Sequence, residues 1–292
     1  MNDASRPLQA ALWMIGAILS FSSMAVAGRA VADVLDTFEL MMYRSLIGFA
    51  IILALGAGLG LFRDVRRDRL GLHLLRNISH FTGQNLWFYA LSLITLAQLF
   101  ALEFTSPIWV MILATLFLGE RLTRARLAAL VLGFLGALIV ARPGAGGDEF
   151  GLLIAAVAAI FFAGSIVSTK SLTRTETTYG ILFWLTAMQS VMGLVASGWD
   201  GDITVPPLAL WPWVALVGCA GLLAHTCLTK ALSLAPATVV VPMDFLRLPA
   251  IAVVGMLLYS EPLDALVLLG AALIFAGNYL NILSESRSRR RA

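Results

Sequence analysis

The sequence predicts an all-α membrane protein of ten transmembrane helices built from two inverted five-helix repeats. Hydrophobic residues make up 60% of the chain and charged residues 13%, with a mean hydropathy of +0.89. One water-soluble fold of 292 residues cannot hide that much apolar surface. A long phrase near the end of the first half is also repeated in the second. Ala90-Leu91-Ser92-Leu93 returns as Ala231-Leu232-Ser233-Leu234, 141 residues later. At the same offset Glu103-Phe104 falls on Asp244-Phe245, Glu120 on Glu261, and Leu132, Phe134 and Gly136 on Leu273, Phe275 and Gly277. A gap-free register of this length marks an internal duplication.

A spanning helix takes roughly 20 apolar residues, and ten such stretches follow one another: 9–31, 38–62, 72–93, 95–118, 124–141, 150–169, 179–198, 208–230, 236–259 and 263–283. The first five form one repeat, residues 1–142. Residues 143–149 are the linker, and 150–292 the second repeat with its basic tail. The linker composition, Arg142-Pro143-Gly144-Ala145-Gly146-Gly147-Asp148, is a helix stop followed by flexible chain. It lacks the Gly-Lys-Ser/Thr ending of a phosphate loop. Ala25-Val26-Ala27 mimics a signal-peptidase site, yet removing the first span would leave 150–169 without its counterpart.

Orientation follows from the basic residues. With the N-terminus in the cytoplasm, fifteen of the 20 Lys and Arg lie in inside loops and tails, only Arg29 and Arg142 lie outside, and Arg44, Arg76 and Arg247 fall within spans. Both termini are therefore expected in the cytoplasm, in an inner membrane. Five spans per half is an odd number, so the second repeat enters the membrane upside down. The pI near 9.1 reflects this loop asymmetry and does not call for nucleic acid. Cys219 and Cys227 share one span with no metal-type or redox-type spacing. Packing is their default role.

Ionisable groups within spans are informative because each costs about 2.5 to 3.5 kcal/mol at the bilayer centre unless paired or hydrated. In the third span Asn77, His80, Gln84 and Trp87 recur at helical spacing and share a face. Pathway lining and helix-to-helix adhesion both fit such a stripe. The repeat sets Gln84 against His225, so polar positions correspond in the two halves. Glu103 and Asp244 each stand eight residues into a span, roughly 12 Å deep, one above the midplane and the other below. Arg247 at i+3 is a ready partner for Asp244, whereas Glu103 has to find one on another helix, face water or keep its proton. Glu39, Arg44 and Arg76 also lie within spans; Arg76 can snorkel to an end, and Arg44 is deeper. Pro107 and Pro249 interrupt spans four and nine just after the acids, as kinks or as hinges. Trp199, Trp211 and Trp213 form an interfacial belt. Trp87, Trp109 and Trp184 lie deeper and offer flat walls to a ligand or to neighbouring helices.

Tyr89-Ala90-Leu91, Pro107, Gly119-Glu120-Arg121-Leu122 and Leu132-Gly133-Phe134-Leu135-Gly136 resemble the EamA-type branch of the drug/metabolite transporter superfamily. The second half repeats the pattern in Lys230-Ala231-Leu232, Pro249, Ser260-Glu261-Pro262-Leu263 and Leu273-Ile274-Phe275-Ala276-Gly277. Lys230 replaces the aromatic residue of the first copy, and Pro249 is displaced by one position. The resemblance implies a carrier working by alternating access with a central cavity walled by both halves. It also extends to the aromatic amino-acid exporters of that superfamily, which would make an amphipathic amino acid the substrate. Arg247 and the other arginines suit a carboxylate, Glu103 and Asp244 an ammonium, and the tryptophans a ring. Other small metabolites or drugs remain alternatives, as do a channel and a membrane scaffold. An enzyme is not expected, because no nucleophile, base or metal-ligand motif accompanies the three histidines. No cofactor, metal or obligate protein partner is called for beyond the small-molecule substrate and the bilayer.

A single cysteine placed in the 199–207 loop is expected to react with impermeant thiol reagents only from outside the cell. Labelling solely from the cytoplasm would overturn both the orientation and the inversion.

Overall fold

A computed structural model describes residues 6–94, 99, 102–141, 148–199, 201–248, 253 and 265–291, and among these the backbone is almost wholly helical. The elements are α1 (Pro7–Val31), α2 (Thr37–Leu59), α3 (Leu70–Leu93), α4 (Ser106–Leu118), α5 (Arg124–Ala141), α6 (Glu149–Leu172), α7 (Thr178–Ser197), α8 (Trp211–Leu234), the short α9 (Ala237–Val240) and α10 (Ala265–Arg291). A 3-10 segment, Val241–Leu246, continues α9. Among the described residues, five stretches are long and apolar enough to cross a bilayer by themselves: α1, α2, α6, α7 and Leu208–Leu234, which includes α8. Residues 143–147 of the expected 143–149 linker, with Arg142 before them, and Pro249 and Glu261 lie outside the described residues.

The duplication is written in the helix boundaries. α3 and α8 begin 141 residues apart and end 141 residues apart. Asp36 caps α2, accepting from the Glu39 amide at 2.8 Å while the Glu39 carboxylate accepts from the Asp36 amide at 3.0 Å. Its repeat mate Thr177 caps α7, accepting from the Gly180 amide at 3.1 Å. Gly60 and Gly201, again 141 apart, both take left-handed backbone, with φ of 67° and 80°. The tenth helix runs to Arg291, past the expected end at 283. No Gly or Pro interrupts 278–291.

The fold is the predicted one, an all-α membrane protein of two inverted five-helix repeats. The halves interleave. α1 packs most extensively on α8, α3 on α6, α2 on α7 and α5 on α10. Exchanging each helix for its repeat mate turns the first pair into the second and the last two into themselves, as a twofold axis requires. The α5–α10 contact shows it atom by atom. A Cβ on Gly136 would lie 2.6 Å from the Gly270 carbonyl oxygen, and one on Gly277 would lie 3.1 Å from that of Ala129, the repeat mate of Gly270. Phe104 and Phe245, also repeat mates, stack on each other with ring centroids 5.3 Å apart.

Small residues let these backbones approach where lipid supplies no hydrophobic drive between helices. Gly136→Ala is expected to destabilise the protein by about 1 to 3 kcal/mol through overpacking, read as a lower melting temperature in detergent. Gly58→Ala, at a glycine with open space around it, is expected to be neutral or slightly stabilising.

Candidate functional site

Both repeats carry a helix break at the same place. In the first, Leu102 and Glu103 are helical, Phe104 and Thr105 form a turn, and α4 begins at Ser106. The Thr105 hydroxyl donates to the Leu102 carbonyl at 2.6 Å. Pro107 therefore does not interrupt a helix, as expected from sequence; it sits in the first turn, where its missing N–H is no loss. In the second repeat the 3-10 segment Val241–Leu246 carries Asp244 and Phe245. Backbone that departs from α-geometry at membrane depth is tolerated where it lies inside protein or lines a cavity.

At these breaks one guanidinium joins the halves. Arg247 donates to Asp244 Oδ2 at 3.0 Å and, through the same nitrogen, to the Glu103 carboxylate. Glu103 thus finds its partner on another helix, and its second oxygen accepts from Trp87 Nε1 at 2.7 Å. The Arg247 guanidinium also lies 5.6 Å from the ring centroids of Phe21 and Phe104, within cation–π range.

The α3 stripe faces inward. The Arg44 Nη2 on α2 donates to Gln189 Oε1 on α7 at 2.9 Å. This orients the amide, whose Nε2 meets His80 Nδ1 at 2.9 Å and Asn77 Oδ1 at 3.3 Å. His80 therefore accepts on Nδ1 and keeps its proton on Nε2. Its ring packs edge-on against His225, centroids 4.6 Å apart. The predicted snorkelling of Arg76 does not occur. Its side chain is 1% exposed, and Nε donates to the Thr169 hydroxyl at 2.6 Å.

Most of these groups, Arg44, Asn77 and Gln189 apart, surround a cavity of about 950 Å³, counted with its open mouth. α3 contributes Arg76, His80, Gln84, Trp87 and Phe88; the breaks contribute Glu103, Asp244 and Arg247; α8 contributes His225, Leu228 and Thr229. Two elements not expected from sequence complete the wall, α1 with Phe21 and Met24, and α6 with Phe162, Ser165 and Thr169. Phe21 and Phe162 are repeat mates, a signal that the 141-residue offset carried. Trp109 and Trp184 are not on this wall. Trp184 lies near the start of α7, where Nε1 donates to the Arg66 carbonyl at 2.8 Å and its ring packs near His73. Trp109 is 37% exposed, on the outward side of α4. Cys227 fills the space beside Gly16 between α8 and α1, and no group of residues suited to a metal occurs among the described residues.

The end of the bundle holding residues 60–69 and 173–177 is closed by polar contacts. His73 Nε2 meets Glu176 at 2.8 Å, Arg69 bonds the Ser171 carbonyl and hydroxyl at 3.0 Å each, and Lys170 donates to the carbonyls of Leu232 and Ala235 at 2.6 and 2.8 Å. Glu120, at the end of α4, accepts from the Ala237 and Thr238 amides at 2.8 and 3.0 Å. The family's Gly-Glu-Arg-Leu motif thereby caps the start of α9. At the opposite end Glu39 accepts from the Thr204 amide at 2.5 Å, and Tyr43 donates to the Thr204 carbonyl at 2.8 Å.

Residues 8–142 and again 149–283 match the EamA-like transporter family. The chain belongs to that family. The two matched stretches begin 141 residues apart and end 141 residues apart, the offset read from the sequence and found again in the helix boundaries. The chain is 33% identical to a riboflavin transporter of Brucella anthropi over 79% of its own length and 82% of that protein's. It is 29% identical to the pseudopaline exporter CntI of Pseudomonas aeruginosa, over 88% of this chain and 90% of that one. A solved crystal structure shares the fold with a TM-score of 0.80 at 20% identity, covering 95% of this chain and 98% of its own. The EamA resemblance is thus confirmed, and transport of small metabolites is what these relatives have in common. Their names do not single out amino-acid export.

Arg247→Ala would leave two part-buried carboxylates facing each other and is expected to destabilise the protein, by less than the roughly 3 to 5 kcal/mol of a fully buried pair. Combining Arg247→Met with Glu103→Gln and Asp244→Asn is expected to recover most of that loss. Denaturant titration in micelles measures both.

Proposed function

We propose that this chain is a secondary transporter that carries a planar aromatic metabolite of the riboflavin class across the inner membrane by alternating access, with both termini in the cytoplasm. The single observation that carries the substrate class is the pairing, in one cavity, of aromatic side chains with polar groups. Phe21, Phe162, Trp87 and Phe88 supply flat apolar surface, and His225, Thr229, Arg76 and Asp244 supply hydrogen-bonding atoms. A fused heterocycle bearing hydroxyls and imide-type donors and acceptors matches both kinds of wall. The riboflavin-transporting relative, at 33% identity, supports the same class. Residues 1–142 and 150–292 act as the two halves that rock about the cavity, joined by 143–149. The site residues are His80, Gln84, Trp87, Glu103, His225, Asp244 and Arg247 of the sequence reading, together with Arg76, Phe21 and Phe162.

A second reading, export of an amphipathic amino acid, is favoured by one specific feature. Arg76 Nη1 and Asp244 Oδ1 are both buried without a hydrogen-bond partner among the described residues, and both residues line the same cavity. Opposite charges so placed suit a zwitterion.

Counterflow in proteoliposomes decides between the two. Saturable exchange of labelled riboflavin that unlabelled tryptophan does not inhibit is the expected result. Tryptophan or phenylalanine counterflow without riboflavin exchange moves the assignment to amino acids, and robust flux of neither removes both. Gln84→Ala and His225→Ala are each expected to lower flux about tenfold with expression unchanged, equivalent to about 1.4 kcal/mol. Parental rates in both would remove these positions from the pathway.

A further inference from the structure

Beside the main cavity lies a narrow cleft with room for little more than one water-sized group, walled in part by Arg44, Ser45, Thr186, Gln189 and Gly221, and the two share His225. Two arginines flank this junction, Arg44 at 6% exposure and Arg76 at 1%. Neither is paired with a carboxylate among the described residues. Their hydrogen bonds go to neutral oxygens, Gln189 Oε1 for Arg44 and the Thr169 hydroxyl for Arg76. Arg44 Nε and Nη1 and Arg76 Nη1 remain buried with no partner among the described residues, as do His225 Nε2 and Ser45 Oγ.

Among the described residues the acids within the bundle each bond another group, Asp244 and Glu176 through one oxygen only. Glu103 and Asp244 are held by Arg247, Glu176 by His73, and Glu39 by the amides of Asp36 and Thr204. A guanidinium does not shed its proton to escape burial as a lysine does. Two like charges held in a low-dielectric interior therefore call for an anion from elsewhere. The sequence makes room for this arrangement at Gly221, where a Cβ would come within 3.1 Å of Arg44 Cδ.

We propose that Arg44 and Arg76, with His225 and Ser45, form a buried binding site for one small anionic group at the junction of the cleft and the main cavity. The group is either a free inorganic anion such as chloride or a carboxylate or phosphate borne by the transported molecule itself. Only the second source rests on the transport reading given above. In both cases the arginines' open N–H groups supply charge-assisted hydrogen bonds.

The test uses the purified full-length chain in detergent and needs no flux. Chloride is exchanged for gluconate at constant ionic strength while the melting temperature is followed. A saturable rise of roughly 3 °C with chloride, lost in Arg44→Gln and in Arg76→Gln, assigns the site to a free anion. A silent chloride titration, with flavin mononucleotide raising the melting temperature more than riboflavin in the parent and not in those variants, assigns it to the carried molecule. Should the arginine variants fail to fold, Ser45→Ala retains both charges, and a higher half-saturating concentration of the effective anion is then the expected outcome. The proposal is overturned if neither probe shifts the parent, if the shift persists in both arginine variants, or if Ser45→Ala, used because those variants did not fold, titrates as the parent does. Absence of riboflavin counterflow would leave a chloride-dependent melting temperature standing, so the two proposals fail separately.

Discussion

One guanidinium, that of Arg247, reaches the two carboxylates that the repeats bring to the middle of the bundle. Glu103 and Asp244 are the same position in two copies of one sequence pattern, and inversion brings both to one nitrogen of a single arginine. Without that cation two acids would share a space with little water, and the cost would fall on the helix breaks that present them. The stacked rings of Phe104 and Phe245 sit one residue further along each break, so aromatic contact and ion pairing hold the same two segments. Trp87 ties α3 to this centre through Glu103. From there the polar face of α3 leads by way of His80 and Gln189 to Arg44 on α2, and the His80–Gln189 and Gln189–Arg44 links each cross from one half of the chain to the other.

Interleaving is what allows so many polar groups to lie within a membrane. Lipid offers no hydrogen-bond partner, so a polar stripe must be satisfied by other protein groups, here largely of the other repeat, or by a water-filled space. α3 does both, bonding α6 and α7 along one flank and lining the cavity along the other. The apolar pairs α1–α8 and α5–α10 contribute close backbone approach, with Gly16, Gly136 and Gly277 at the contacts where a side chain would not fit. The twofold relation follows from using the same small-residue positions twice.

Much of this was legible in the sequence because a membrane simplifies the code. Long apolar runs gave the spans, the basic loops gave the expected orientation, and the rarity of charge within spans drew attention to Glu103, Asp244, Arg247, His80 and His225, all of which the cavity brings together. Aromatic positions were less legible. Trp109 and Trp184 carry the same side chain as Trp87 but face away from the cavity, and neither residue type nor depth encodes direction. Phe21 and Phe162 were overlooked because a phenylalanine in an apolar helix is ordinary unless its repeat mate is considered. Arg76 was read as reaching for an interface because its position near a helix end permits that, whereas packing of α3 against α6 turns it inward. Pro107 marked the break correctly but not its side, since a proline is as compatible with starting a helix as with bending one.

The centre of the molecule departs from its own symmetry in one respect. Where the second repeat has Arg247, the first has Ser106. In an assembly of two identical half-length chains, any residue beside the axis is present twice, and two guanidinium groups would crowd together there. Two arginines against two acids would be neutral on paper but repulsive at the axis; no arginine at all would leave the acids unopposed. Joining the halves in one polypeptide frees each copy to change alone. A three-membered charge cluster, with one cation serving two anions, is an arrangement that two identical half-length chains could not hold about their axis, and it gives the two faces of this otherwise twofold core unequal chemistry.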